Sequence, residues 1–155
     1  MGNQPEKGPG NGRWQRDIRH WVMVMISKSQ IRTNEKKILF VDDEEAQRDV
    51  IKRVLGRMGY TVTVCYSSEQ ALELLKTESF PLIITDLNMP GMDGALFCKA
   101  VRKTNTRSII YALSGYIGSY QSDSLEAIGF DGFLRKPATV DILKKAIEGA
   151  FDKNR

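Results

Sequence analysis

The 155-residue sequence predicts an α/β fold: a parallel sheet with helices packed on both faces. Two observations carry this. From Lys36 onward, short apolar runs of strand length alternate five times with stretches of helical periodicity. The runs at 37–42, 82–86 and 107–113 are also apolar throughout, as central strands buried on both faces are. Strand–helix–strand crossovers of one hand then bring every strand's C-terminal tip to the same edge.

The elements follow in order. KILFVD (37–42) is the first strand. Residues 45–58 form a helix with Val50, Ile51, Val54, Leu55 and Met58 on one face, and Gly59 ends it. TVTVC (61–65) alternates Thr with Val and Cys, a pattern that suits an edge strand. Ser67 or Ser68 caps a second helix carrying Ala71, Leu72, Leu74 and Leu75. LIITD (82–86) is the third strand and 94–103 the third helix. RSIIYAL (107–113) is the fourth strand, followed by a weaker helix from about residue 119 to 128. GFL (132–134) makes a short fifth strand. A last helix over 140–151 is capped by Thr139 or Asp141.

Ahead of this domain (36–155) lies a different composition. Residues 1–13 are Gly, Pro and polar, as in a disordered or appended leader. Residues 14–26 place Trp14, Ile18, Trp21, Val22, Met25 and Ile26 at helical spacing against Arg13, Arg16, Asp17, Arg19 and His20. A short basic amphipathic helix is expected there, although Met23 and Val24 interrupt its polar face, and 27–35 reads as a polar linker. His20, the only histidine, is expected to be an exposed tail residue, because one short segment supplies no helical bundle to present a phosphodonor.

Charge and cysteines narrow the class. Residues 1–34 hold six basic and two acidic residues and so carry the whole net charge of +4. The remainder is balanced, which argues against direct nucleic-acid binding. The longest apolar run in the tail, WVMVMI (21–26), falls far short of the ~20 residues that span a bilayer. Cys65 and Cys98 lie inside apolar segments without metal-ligand spacing, and read as reduced core thiols of a cytoplasmic protein.

The chemistry collects at the strand tips. The first strand ends in Asp42-Asp43, followed by Glu44-Glu45; the third ends in Asp86; the fourth in Ser114-Gly115; the fifth runs into Arg135-Lys136-Pro137. Three carboxylates brought together repel one another, and a hard divalent cation relieves the conflict. Mg²⁺ takes octahedral oxygen ligands, so Asp42, Asp43, Asp86 and a turn carbonyl, best that of Asn88, form a candidate set. Asp86 is then placed to attack a phosphoryl group, with Lys136 and the Ser114 hydroxyl stabilising charge on it.

Four motifs in order, FVDDEE, DLNMPGMDG, ALSG and GFDGFLRKP, make residues 37–152 resemble a response-regulator receiver domain. The resemblance implies the flavodoxin-like (βα)5 doubly wound sheet with strand order 2-1-3-4-5. It implies Asp86 as acceptor of a phosphoryl group from a sensor-kinase phosphohistidine, with Mg²⁺ required. Asp42 and Asp43 resemble the metal-binding pair, Ser114 the switch hydroxyl and Lys136 the site lysine. The Lys136–Pro137 bond corresponds to the family's cis peptide. Phe133 stands where a ring, often Tyr in relatives, rotates inward on activation. Asn88 and Tyr116 should flank the path of the hydrolytic water, with the Tyr116 ring slowing dephosphorylation.

Plainer readings exist for each group. Acidic residues favour the first turn of any helix, so Asp42-Asp43 could be a helix N-terminal acidic cluster, and Glu44 and Glu45 are assigned to one. Ser114 could be an ordinary turn serine and Phe133 an ordinary core aromatic. A haloacid-dehalogenase-type phosphatase would need its nucleophile on the first strand with a second Asp two residues on, but Glu44 stands there. The expected function is therefore a phosphoacceptor switch presenting its fourth helix, fifth strand and fifth helix. Output is expected through a protein partner or a domain outside this chain. The alternative is a hybrid sensor kinase's receiver that relays phosphate to a histidine phosphotransfer protein.

Overall fold

A computed structural model describes residues 36–115 and 122–153. The amphipathic helix expected over 14–26, the linker over 27–35, His20 and Tyr116 lie outside the described residues. Strands β1 (Lys37–Val41), β2 (Thr61–Cys65), β3 (Leu82–Asp86), β4 (Ile109–Ser114) and β5 (Gly132–Arg135) alternate with helices α1 (Glu45–Arg57), α2 (Ser68–Leu75), α3 (Gly94–Arg102), α4 (Ser122–Ile128) and α5 (Val140–Lys153). All strand pairs are parallel, in the order β2-β1-β3-β4-β5. The predicted doubly wound sheet and its strand order are observed.

Two cores follow from the two-residue period of a strand. Leu39, Val41, Ile83, Ile110 and Ala112 point to one face. There they pack with Ala71 of α2, Phe97, Cys98 and Val101 of α3, and Leu125 of α4. Ile38, Phe40, Leu82, Ile84, Tyr111 and Leu113 point to the other, against Ile51 and Leu55 of α1 and Leu143, Ile147 and Ala150 of α5. Burial of each such Leu, Ile or Phe contributes roughly 1.5–3 kcal/mol. β2 is the half-exposed edge that its alternation predicted. Cys65 and Cys98 are buried free thiols, and burial pushes Cys98 up to about 11.

Several local expectations are corrected. Val50 is 52% exposed rather than buried. It sits about 100° around the helix from Ile51 and faces an open cleft that α1 forms with Pro137, Val140 and Leu143. β4 starts at Ile109, not 107, because the Asn105 side chain accepts the Arg107 and Ser108 N–H groups and turns that stretch out of the sheet. Ser67, not Ser68, caps α2, accepting the Gln70 N–H at 3.1 Å. Thr139 serves α5 in the same way, through Ile142 N–H at 3.3 Å.

Two helices close identically. The Gly59 and Tyr60 N–H groups return to Gly56 and Leu55, and those of Gly129 and Phe130 to Glu126 and Leu125. Both glycines take positive φ, +88° and +122°, as this C-terminal motif requires. Arg102 then ties α3 to the second turn. Its Nε donates to the Gly129 carbonyl at 2.9 Å, Nη1 to the Ser108 carbonyl at 2.7 Å and Nη2 to Asp131 Oδ2 at 2.8 Å.

Substitutions at glycine should separate these roles. A Cβ at Gly56 would meet nothing within 4 Å. Gly56→Ala is therefore expected to stabilise by about 0.5–1 kcal/mol, raising the thermal midpoint by a few degrees. At Gly129 the left-handed backbone is closed to Ala, and a Cβ would press on Arg102 Cγ at 2.9 Å. Gly129→Ala should lower the midpoint by more than Gly56→Ala raises it. Thermal denaturation followed by far-ultraviolet circular dichroism reads both.

Candidate functional site

Strand register builds the site. Val41 lies opposite Thr85, so the next residues, Asp42 and Asp86, emerge side by side at the C-terminal edge. Asp86 in turn lies opposite Leu113, and Ser114 opposite Arg135, which sets Ser114 and Lys136 on the other flank. The Lys136 N–H donates to the Ser114 carbonyl at 2.9 Å, and the Lys136–Pro137 peptide is cis. Just beyond β3, Gly94 lies against the strand end, where a Cβ would overlap the Asp86 carbonyl oxygen. Glycine is what lets α3 begin this close to the acidic edge.

Oxygen atoms of Asp42, Asp43 and Asp86 all lie within 4.8 Å of one another. Asp42 is fully buried and Asp86 nearly so, whereas Asp43 is exposed. Lys136 reaches between the buried pair, its Nζ 3.0 Å from Asp42 Oδ2 and 3.1 Å from Asp86 Oδ2. The remaining oxygens take backbone donors: Asp42 Oδ1 the Glu44 N–H at 2.9 Å, and Asp86 Oδ1 the Asn88 N–H at 3.2 Å. Asp42 thus also serves the entry to α1, part of the plainer reading of the acidic pair.

Burial pushes the Asp86 carboxyl up; the Asn88 N–H and then Lys136 pull it down, and Asp42 adds to the rise. The net is a value above the ordinary carboxylate range. Burial would lower the Lys136 ammonium, but its hydrogen bonds to and attraction by Asp42 and Asp86 outweigh this, so it is raised. One ammonium therefore does not satisfy the site's negative charge. An all-oxygen set of three carboxylates with one solvent-facing member fits a hard divalent cation that keeps some of its waters.

The remaining candidates differ in exposure. Ser114 is buried at the end of β4, Asn88 is exposed in the loop after β3, and Phe133 is 43% exposed on β5. Four further residues contribute without a site motif in the sequence to mark them, Ser68 having read there only as a possible helix cap. Thr85 Oγ1 donates to the Asp86 carbonyl at 2.9 Å, and Arg48 Nη1 to the Asp42 carbonyl at 2.8 Å. Ser68 Oγ donates to the Met92 carbonyl, and Glu69 accepts the Met92 N–H. Only Thr85 left a local signal, a hydroxyl interrupting an apolar strand one residue before the aspartate.

Metal-free stability reads the Asp86 environment. With its folded value raised, Asp86 favours folding when protonated. That contribution is full below the ordinary carboxylate range, near 4, and is lost as pH rises through the raised value. Without divalent metal, Asp86→Asn should melt a few degrees above wild type at pH 7. The difference should vanish near pH 3, and a midpoint below wild type at pH 7 would contradict the burial balance.

Residues 38–148 match the family described as "Response regulator receiver domain". Chemotaxis protein CheY of Pseudomonas aeruginosa is 34% identical over 120 residues, covering 76% of this chain and 97% of its own length. Autoinducer 1 sensor kinase/phosphatase LuxN of Vibrio campbellii is 28% identical over 141 residues, 91% of this chain but only 16% of that protein. Among solved structures, response regulator protein TrrA of Thermotoga maritima, determined with Mg²⁺ and BeF, is 30% identical. It superposes with a TM-score of 0.68 over 74% of this chain and 98% of its own. Among the described residues, no helix is long and apolar enough to cross a membrane. With its fold, its acidic edge and these likenesses in agreement, the chain belongs to the response-regulator receiver domains of two-component signalling.

Proposed function

We propose that the chain accepts a phosphoryl group on Asp86 from the phosphohistidine of a sensor histidine kinase or histidine phosphotransfer protein. The observation that carries this is Lys136, held between Asp42 and Asp86 beside a third carboxylate, Asp43. Asp42, Asp43, Asp86 and the Asn88 carbonyl would hold Mg²⁺. When bound, Mg²⁺ supplies positive charge to the carboxylate cluster and to the oxygens of the transferring group.

An Asp86 carboxylate oxygen forms the new P–O bond as the P–N bond to the donor imidazole breaks, its electron pair leaving with the ring nitrogen. Lys136, an ammonium at neutral pH, offsets charge on one phosphoryl oxygen, and the Ser114 hydroxyl donates to another. The Ser114 shift toward the phosphoryl group and the inward turn of Phe133 would remodel the α4, β5 and α5 surface for a protein partner. Slow attack of water returns Asp86 to its free form, along a path beside Asn88. Two free, buried cysteines support a reducing, cytoplasmic setting.

A relay within a longer sensor kinase is the second reading. The 141-residue likeness to LuxN favours it, since at that length it takes in part of the N-terminal 35 residues. Phosphorylated protein that passes its label rapidly to a histidine phosphotransfer protein would support the relay. Label retained on Asp86 would support the switch.

Intact mass after incubation with acetyl phosphate tests the shared chemistry. One phosphoryl group should be added with Mg²⁺ present, and none without it or in Asp86→Asn. Lys136→Ala should slow labelling by about a hundredfold or more. Labelling of Asp86→Asn as fast as wild type would overturn the assignment.

A further inference from the structure

The loop between Asp86 and α3 is anchored at its ends by backbone: Leu87 N–H to the Leu113 carbonyl at 3.2 Å, and Gly94 N–H to the Leu87 carbonyl at 3.0 Å. Between them, no backbone-to-backbone hydrogen bond holds residues 88–92 among the described residues. The middle of the loop is gripped instead by two side chains of α2. Ser68, fully buried, donates its Oγ proton to the Met92 carbonyl at 2.8 Å. Glu69 Oε1 accepts the Met92 N–H at 3.1 Å. Both polar backbone groups of Met92 are thereby satisfied from a different element.

Ser67 already caps α2, which leaves the Ser68 hydroxyl to the loop, while the Glu69 carboxylate meets both a first-turn N–H of its own helix and the loop. Ser68 is one of the few polar residues sealed inside the core. Such a hydroxyl is retained at a cost unless its hydrogen bond is made. The N–H groups of Glu69 itself and then of Met92 hold the Glu69 carboxyl below its usual range, so it accepts as an anion at neutral pH.

We propose that Ser68 and Glu69 are positioning residues for the Asp86 site, fixing through Met92 the loop that carries Asn88. This rests on Asp86 being the phosphoacceptor. Asn88 supplies the backbone donor on Asp86 Oδ1, and at 3.2 Å this is longer than the other three hydrogen bonds to the Asp42 and Asp86 carboxylates. Its donor is the one carried by this loop, so this bond depends directly on loop position. A loop released at Met92 would move both that N–H and the Asn88 carbonyl off the carboxylate cluster. Glu69 and Ser68 thus set cation affinity and nucleophile orientation without touching the reacting atoms.

The test uses the full chain as wild type, Ser68→Ala, Glu69→Ala and Glu69→Gln. Backbone amide NMR is followed with Mg²⁺ alone, alongside Met92 and Asn88 amide hydrogen exchange without metal. Loss of either bond should weaken Mg²⁺ binding by about fivefold. It should also accelerate Met92 exchange and slow labelling by acetyl phosphate at subsaturating Mg²⁺. Glu69→Gln keeps the Oε1 acceptor and should stay near wild type, which a role for the charge alone would not give. Glu69 is exposed, so its variants test the clamp even where Ser68→Ala fails to fold. A lowered melting point with unchanged Mg²⁺ affinity and labelling would overturn the proposal. If wild type takes up no phosphoryl group while Glu69→Ala still loses Mg²⁺ affinity, the acceptor assignment fails and the clamp stands.

Discussion

The rest of the structure is arranged around a conflict of charge at one edge of the sheet. Two buried carboxylates, Asp42 and Asp86, share a single ammonium, and a third acid stands beside them in solvent. Burying one unpaired carboxylate would cost several kcal/mol. The fold tolerates the arrangement because each buried oxygen has a donor, two from Lys136 and two from backbone N–H groups. Those donors sit at the ends of β1, β3 and β5, so the register of the whole sheet is a condition of the site. A one-residue slip would turn Asp86 toward the opposite face.

Under the proposed function, the same conflict would give the site its reactivity. A fully neutralised carboxylate would be a poor acceptor and a poor cation ligand. Here Asp86 is held above its ordinary range by burial, and Lys136 does not bring it back down. The pair would therefore gain from added positive charge, and a cation, or a phosphoryl group brought in with one, would meet groups already oriented. Orientation ahead of the reaction is what phosphoryl transfer asks of a protein, since there is little other chemistry to supply. Two apolar layers, one on either face of the sheet, hold the strands that carry these groups.

Much of this was legible in the sequence because it is periodic or punctual. Continuous apolar runs gave β1, β3 and β4, and the Thr–Val alternation gave the β2 edge. Acids and a lysine at the ends of those runs could be placed together by parallel topology alone. What escaped depends on side chains that act across elements. Ser68 and Met92 are 24 positions apart, and nothing local distinguishes Ser68 from the adjacent capping Ser67. Arg102 joins three segments through one guanidinium but reads in sequence as a basic residue ending a helix. Val50 falls on the apolar stripe yet is exposed, because a helical stripe does not show how far the neighbouring helix stands away.

The escaped residues share a physical character that explains their place in the molecule. Ser68, Glu69 and Arg102 each use side-chain donors or acceptors to satisfy backbone groups of a loop that lies outside the sheet ladder. A sheet can hold its strands rigid, but it cannot hold the loops that carry chemistry beyond its edge. Such loops either fluctuate or borrow partners from the helices packed beneath them. In this receiver the loop after Asp86 borrows from α2, and the turn before β5 borrows from α3. On the clamp proposed above, rigidity would reach the acidic edge by two routes, the ladder for the carboxylates and side-chain clamps for the loop. The second is carried by single side chains, one of them, Glu69, at the surface.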